Sequence, residues 1–192
     1  MDAAYELLSQ SPEAYLIVLG FAFADAIVPA VPSETALITA GVLCVAGELS
    51  IVWVIGAGAA GAFAGDTVSY VLGRSVGRPV QERFLDGRRA RRALDWARTQ
   101  FERRGGLVIV AGRYMPGGRT AATFTGGVIH YPYGRFAAFD AVASLAWATY
   151  AATLGYLGGR FFEHNTWAAL LVAFALAGVV TLLVEGARRL RR

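Results

Sequence analysis

The amino-acid sequence predicts an all-α membrane protein: transmembrane helices plus two opposed re-entrant hairpins in an inverted-repeat arrangement, with an Arg-rich amphipathic helical segment on the cytoplasmic side. Three observations carry this. Hydrophobic residues make up 56% of the chain and the mean hydropathy is +0.47, high for a soluble domain. Two apolar stretches are broken in the same way and carry opposite charges: Pro29-Ala-Val-Pro32-Ser-Glu34-Thr-Ala-Leu-Ile-Thr-Ala-Gly41, and Arg113-Tyr-Met-Pro116-Gly117-Gly118-Arg119-Thr-Ala-Ala-Thr-Phe-Thr-Gly126. Aligning Glu34-Thr-Ala with Arg119-Thr-Ala brings Gly41 onto Gly126. Finally, positive charge is gathered in two blocks, residues 74–104 and the C-terminal tail, with two apolar runs between them.

Taken in order, Ser11-Pro12-Glu13 is a helix start, with Ser as N-cap and Pro at the first helical position. Residues 14–28 are apolar except for Asp25 and read as a span. The proline-broken segment, about 29–47, reads as a re-entrant hairpin, because a broken backbone survives in lipid only where it is buried in protein or lines a cavity. Residues 49–73 form a Gly/Ala-rich span interrupted by Asp66, and the small residues between 56 and 65 suit either close internal packing or a homo-oligomer. Residues 74–104 hold ten arginines and four acids, a net +6, with Val80, Phe84, Leu94, Ala97 and Phe101 at helical spacing. This reads as amphipathic helix on a membrane surface, a solvated loop being the plainer alternative.

Residues 106–112 are apolar but too short to cross, and with the Pro116-Gly117-Gly118 break they read as a second hairpin over 106–129. Residues 136–158, containing Asp140, and 167–187 give two further spans. The positive-inside rule puts the 74–104 loop and the C-terminus in the cytoplasm. It follows that 14–28 runs inside to outside and 49–73 outside to inside, and that the hairpins enter from opposite faces. The echo of Tyr70-Val-Leu-Gly73-Arg74 in Tyr156-Leu-Gly158-Gly-Arg160 supports an inverted repeat within a single domain, 1–192. Two histidines and the lone Cys44 build no common zinc site, so neither metal nor cofactor is expected. Flanking hydrophobic spans argue against nucleic acid as the partner of the arginines.

The ionisable groups inside apolar runs are the candidate site. A charge on a lipid-facing helix costs about 2.5–3.5 kcal/mol at the membrane centre, so Asp25, Glu34, Asp66, Arg113, Arg119 and Asp140 are expected to face the bundle interior or water. Guanidinium forks bind phosphate bidentately, whereas carboxylates exchange protons. Two readings stand on charge alone: an anion site with switchable acids, or salt bridges that tie the hairpins together. Asp66, Tyr70 and Arg74 share one helical face and are read as supporting residues.

Four elements occur in order: Asp25 followed nine positions later by Glu34 of Pro-Ser-Glu; Gly65-Asp66-Thr-Val-Ser-Tyr70-Val-Leu-Gly73-Arg74; Gly112-Arg113 through Arg119-Thr120; and Phe136, Asp140 and Trp147. In these the chain resembles the DedA family, also called the SNARE-associated or VTT-domain family, over roughly residues 15–162. The family usually has Glu-Asn where this chain has Asp25-Ala26. The resemblance implies two re-entrant hairpins meeting in the cell membrane. It also implies transport of a lipid phosphate such as undecaprenyl phosphate, or of a phospholipid, linked to the proton motive force. On that basis Arg113 and Arg119 bind phosphate, Asp25 and Glu34 couple protons, Asp66, Tyr70, Arg74, Asp140 and Trp147 support them, and Pro29, Pro32, Pro116, Gly117 and Gly118 keep the hairpins broken. Membrane lipids and protons are the expected partners. Rival classes are a proton-coupled antiporter for a small cation or drug, and a membrane scaffold. No enzyme is expected, since the chain has no paired His nucleophile and base and no Cys nucleophile motif.

Overall fold

The computed structural model describes residues 12–28, 31–84, 88–115 and 117–161, with side chains described except at 78–84, 88–91 and 93. The expected span 167–187, the C-terminal tail, Pro29 and Pro116 lie outside the described residues. Among the described residues there are six helices and no strand: α1 (Pro12–Ile27), α2 (Ser33–Val45), α3 (Ile51–Phe84), α4 (Arg88–Arg113), α5 (Gly118–Val128) and α6 (Tyr133–Phe161).

Several boundaries differ from the sequence expectation. The helix expected over 49–73 runs on to Phe84, so α3 has 34 residues and a length of about 51 Å. Basic residues are good helix formers, and nothing in the chain breaks the helix at Arg74. Within α3, Ile51–Gly77 is long and apolar enough to cross a membrane. By contrast α1, with 16 residues, reaches about 24 Å, short of a hydrocarbon core of about 30 Å. The second basic stretch forms the start of α4, which kinks at Arg104 (φ −145°, ψ 35°) before 105–113 turns inward.

Backbone contacts fix the helix directions. On α3, a Cβ at Gly61 would collide with the Leu19 carbonyl, and one at Gly65 would come within 2.6 Å of the Phe23 carbonyl. Contacts 19 to 61 and 23 to 65 mean that α1 and α3 run the same way. The expectation that 14–28 and 49–73 cross in opposite directions is therefore overturned. Helix α6 runs against α3: Tyr70 stacks on Phe136 at 4.6 Å, while nearer its start α3 meets Trp147 in one buried core with Ala62.

The short helices α2 and α5 each pack on the long helix of the other half, through the same device. A Cβ at Gly155 of α6 would collide with the Ile38 carbonyl of α2, and a Cβ at Gly41 of α2 with the Ala152 carbonyl of α6. Likewise a Cβ at Gly73 of α3 would collide with the Phe124 carbonyl of α5, and a Cβ at Gly127 of α5 with the Tyr70 carbonyl of α3. One turn further on, Gly159 faces Val42 and Gly77 faces Val128. The equivalent positions are Gly41 with Gly127 and Gly73 with Gly155. The sequence alignment, which paired Gly41 with Gly126, is thus displaced by one residue. The Tyr70/Tyr156 echo is one helical turn out of register.

Large apolar side chains lie on the outside as well as in the core. Val52, Val142, Leu16, Leu107 and Phe161 point outward and are largely exposed, whereas Asp66 and Asp140 are fully buried. A second aromatic core of Tyr70, Phe101, Tyr131 and Phe136 ties the amphipathic part of α4 to the bundle.

Candidate functional site

The two helix breaks converge on the middle of α3. At the first, Val31 and Pro32 separate α1 from α2, with Pro32 outside the helix at φ −81°, ψ 64°. Proline has no amide hydrogen to donate, and its ring disfavours helical geometry in the residue before it. At the second, the chain turns after Arg113 through Met115 N–H donating to the Gly112 carbonyl (3.0 Å) and Gly118 N–H to the Met115 carbonyl (2.9 Å). Gly117 holds φ 67°, which a residue with Cβ rarely adopts, and a Cβ at Gly118 would lie 2.9 Å from the Gly112 carbonyl oxygen. Of the break residues named from sequence, Pro32, Gly117 and Gly118 are thus seen at the breaks. This turn puts Arg113 at the end of α4 and Arg119 in the first turn of α5, both aimed at α3.

Asp66, fully buried on α3, lies between them. Its Oδ2 accepts from Arg113 Nη1 at 2.8 Å, and Arg119 Nε donates to Oδ1 at 2.8 Å and to Oδ2 at 3.0 Å. Arg119 also donates from Nη1 to Asp25 Oδ2 (3.1 Å) and from Nη2 to the Ala62 carbonyl (3.2 Å). Asp25 Oδ2 accepts a further 2.6 Å hydrogen bond from the Ser33 hydroxyl, and Thr120 donates to the Ala26 carbonyl, so the two breaks are joined directly. On the far side, Arg113 Nη2 donates to Ser144 at 2.9 Å, and its Nη1 reaches Asp140 Oδ1 at 3.4 Å. The Trp147 ring lies 5.6 Å from the Arg113 guanidinium carbon and 5.9 Å from that of Arg119, within cation–π range of both. That face helps two like charges to share one site.

Exposure is graded across the cluster. Arg113, Asp66 and Asp140 are 3%, 0% and 1% exposed, whereas Arg119 and Asp25 are 11% and 22% exposed. The Asp25–Arg119 pair is therefore the open end and Arg113–Asp140 the closed end.

The structure brings together Asp25, Arg113, Arg119, Asp66, Asp140 and Trp147. It leaves Glu34 aside: half-buried in the first turn of α2, Glu34 makes no ion pair or hydrogen bond with any described residue. The sequence leaves open whether Glu34 pairs with Arg119; among the described residues the carboxylates on Arg119 are Asp66 and Asp25. Tyr70 and Arg74 form a separate contact, Arg74 Nη1 donating to the Tyr70 hydroxyl at 3.1 Å and that hydroxyl donating to the Tyr131 carbonyl. Ser33 and Ser144 were missed from sequence. Ser144 sits one turn beyond Asp140 and one turn before Trp147, a spacing that places all three on one helix face.

Fold and site together define a helical membrane protein with a buried cluster of charges and many large apolar side chains on its outer surface. A family model described as the VTT domain matches residues 31–157. The chain is 31% identical to an uncharacterized membrane protein of Synechocystis sp., over 87% of this chain and 78% of the relative. It is 29% identical to an uncharacterized membrane protein of Mycobacterium tuberculosis, over 88% and 82%, and 26% identical to Protein DedA of Escherichia coli K12, over 86% and 77%. No solved structure matches the chain. The protein belongs to the VTT-domain family of membrane proteins, the DedA family.

Proposed function

We propose that the protein is a membrane lipid transporter, of flippase or scramblase type and not an enzyme, that moves a lipid phosphate such as undecaprenyl phosphate or a phospholipid across the cell membrane with proton linkage. The observation that carries this reading is the pair of guanidiniums, Arg113 and Arg119, delivered to one point by a helix break and held there by carboxylates rather than by apolar packing. Two oxygens of a phosphate offer each fork the same pair of acceptors as a carboxylate. Exchange starts at the open end: protonating Asp25 weakens its bond to Arg119, and the headgroup takes the vacated N–H groups. The acids couple the step to protons because each site left by a carboxylate must lose a negative charge before another anion enters.

In this reading α3 and α6 span the membrane, and two broken pairs, α1 with α2 and 105–113 with α5, dip in from opposite faces as an inverted repeat. The twice-repeated glycine crossing supports that symmetry. Because α1 and 105–113 then play matching parts, α1 is a hairpin arm and not a crossing span. The Arg-rich segment and the C-terminus lie in the cytoplasm.

One observation favours a second reading, a proton-coupled cation antiporter: three aspartates face two arginines, and Glu34 has no ion-pair or hydrogen-bond partner among the described residues. Labelled lipid phosphate moving across reconstituted vesicles separates the two. Transport is expected to fall at least tenfold in Arg119→Ala and substantially in Arg119→Lys, which keeps the charge and loses the fork. Wild-type lipid movement in Arg119→Ala, with cation flux abolished in Glu34→Gln, would replace the first reading by the second. A scaffold predicts that swapping Asp25 and Arg119 preserves function; a transporter predicts failure.

A further inference from the structure

Asp140 is the anomalous member of the cluster. The two arginines are already matched by two close carboxylates, Asp66 and Asp25. Asp66 accepts from both guanidiniums at 2.8 to 3.0 Å, and Asp25 has Arg119 and Ser33. Asp140, 1% exposed, receives only a 3.4 Å contact, from the same Arg113 nitrogen whose close bond goes to Asp66. Its Oδ2 is buried with no hydrogen-bond partner among the described residues, and so is Arg113 Nε. The charged groups facing this point are Asp66 from α3, Arg113 from α4 and Arg119 from α5, with Asp25 of α1 beyond Arg119; Glu34 of α2 bonds to none of them.

A third carboxylate charge placed there would be nearly uncompensated, next to another carboxylate and out of water, an arrangement that buried ionisable groups avoid by neutralising. We propose that Asp140 enters the cluster as a neutral carboxylic acid, and that Asp66 and Asp140 together hold one proton and one negative charge. In the resting arrangement the charge lies on Asp66, between the arginines, and the proton on Asp140. When Arg113 leaves Asp66, the proton of Asp140 is shared with the Asp66 oxygen that shed the guanidinium, so the pair remains a singly charged, hydrogen-bonded dyad instead of two bare carboxylates. No proton is gained or lost in that step. The proton site thus lies on the two long helices, distinct from the acids at the breaks. The release of Arg113 rests on the lipid-phosphate reading; the resident proton does not.

Infrared spectroscopy of the reconstituted full-length protein at neutral pH reads this without any transport assay. The wild-type minus Asp140→Asn difference spectrum is expected to show the loss of one carboxylic-acid carbonyl band, shifting in deuterated water, with the carboxylate bands unchanged. Loss of a carboxylate band in its place would overturn the proposal. Should Asp140→Asn fail to fold, carbon-13 NMR of wild-type protein labelled at the aspartate carboxyl carbon gives the same reading. One of the six aspartates is expected as a protonated acid at neutral pH; six carboxylates would overturn the proposal. A protonated Asp140 in a protein that moves no lipid would leave the dyad standing and remove only the lipid reading.

Discussion

At the scale of single residues, the cluster is organised around Asp66 rather than around the acids at the breaks. Among the described residues Asp66 is the one carboxylate bonded to both arginines, and it is fully buried. Removing one partner of a buried ion pair leaves the other charge uncompensated and typically costs about 3–5 kcal/mol. Asp66→Ala is therefore expected to destabilise the detergent-purified protein by about that amount in thermal or denaturant unfolding. Asp25→Ala is expected to cost less, because its pair with Arg119 is partly exposed. Glu34→Gln breaks no ion pair or hydrogen bond with a described residue and is expected to stay within about 1 kcal/mol of wild type. An Asp66→Ala protein as stable as Glu34→Gln would show that the cluster is not held in the way described. Ordinary folding constraints explain Asp66, but nothing in packing explains an exposed-side Asp25–Arg119 pair beside an unbonded Glu34, and that is where exchange with a ligand is easiest.

At the scale of elements, glycine does the work that side chains do in a soluble bundle. Where α2 crosses α6 and α5 crosses α3, backbone carbonyls touch the partner helix directly, so any side chain at Gly155 or Gly73 must push two helices apart. Gly155→Leu and Gly73→Leu are each expected to cost at least about 1–3 kcal/mol by overpacking, and by similar amounts because the two crossings are equivalent. Gly134, with open space around it, is the control: Gly134→Ala should leave unfolding unchanged. Much of this level was legible in the sequence. Proline and glycine marked both breaks, Pro12 marked the start of α1, and charge inside apolar runs marked six ionisable groups, five of which the fold joins in one cluster with Glu34 beside it. What stayed hidden has physical causes. Helix direction depends on which glycine faces which carbonyl, and composition is blind to that, so hydropathy alone gives α1 the wrong sense relative to α3. Register slipped because the Glu34/Arg119 match is a match of residue type, whereas packing equates Gly41 with Gly127. Helix α3 ran past Arg74 because arginine changes hydropathy without breaking a helix.

At the scale of the whole molecule, α1 and α3 share a direction opposed to α6, which fits the proposed arrangement of two interlocked halves. If the halves are inverted, the turn after α2 and the basic part of α4 lie on opposite sides of the membrane. Exposed Glu48→Cys and Arg98→Cys, each in a Cys44→Ala background, are expected to react with a membrane-impermeant maleimide from opposite faces of oriented vesicles. Labelling from the same face would refute the inverted arrangement while leaving the charge cluster untouched. In the proposed mechanism a lipid phosphate takes the place of a carboxylate on Arg113 and Arg119. Solid-state NMR of arginine-labelled protein in bilayers containing a lipid phosphate measures this as dephasing of guanidinium nitrogen signals by headgroup phosphorus. The account predicts dephasing that strengthens as the pH is lowered and disappears in the Arg113→Ala, Arg119→Ala double variant. Dephasing that is absent from the wild type, or that persists undiminished in the double variant, would contradict it.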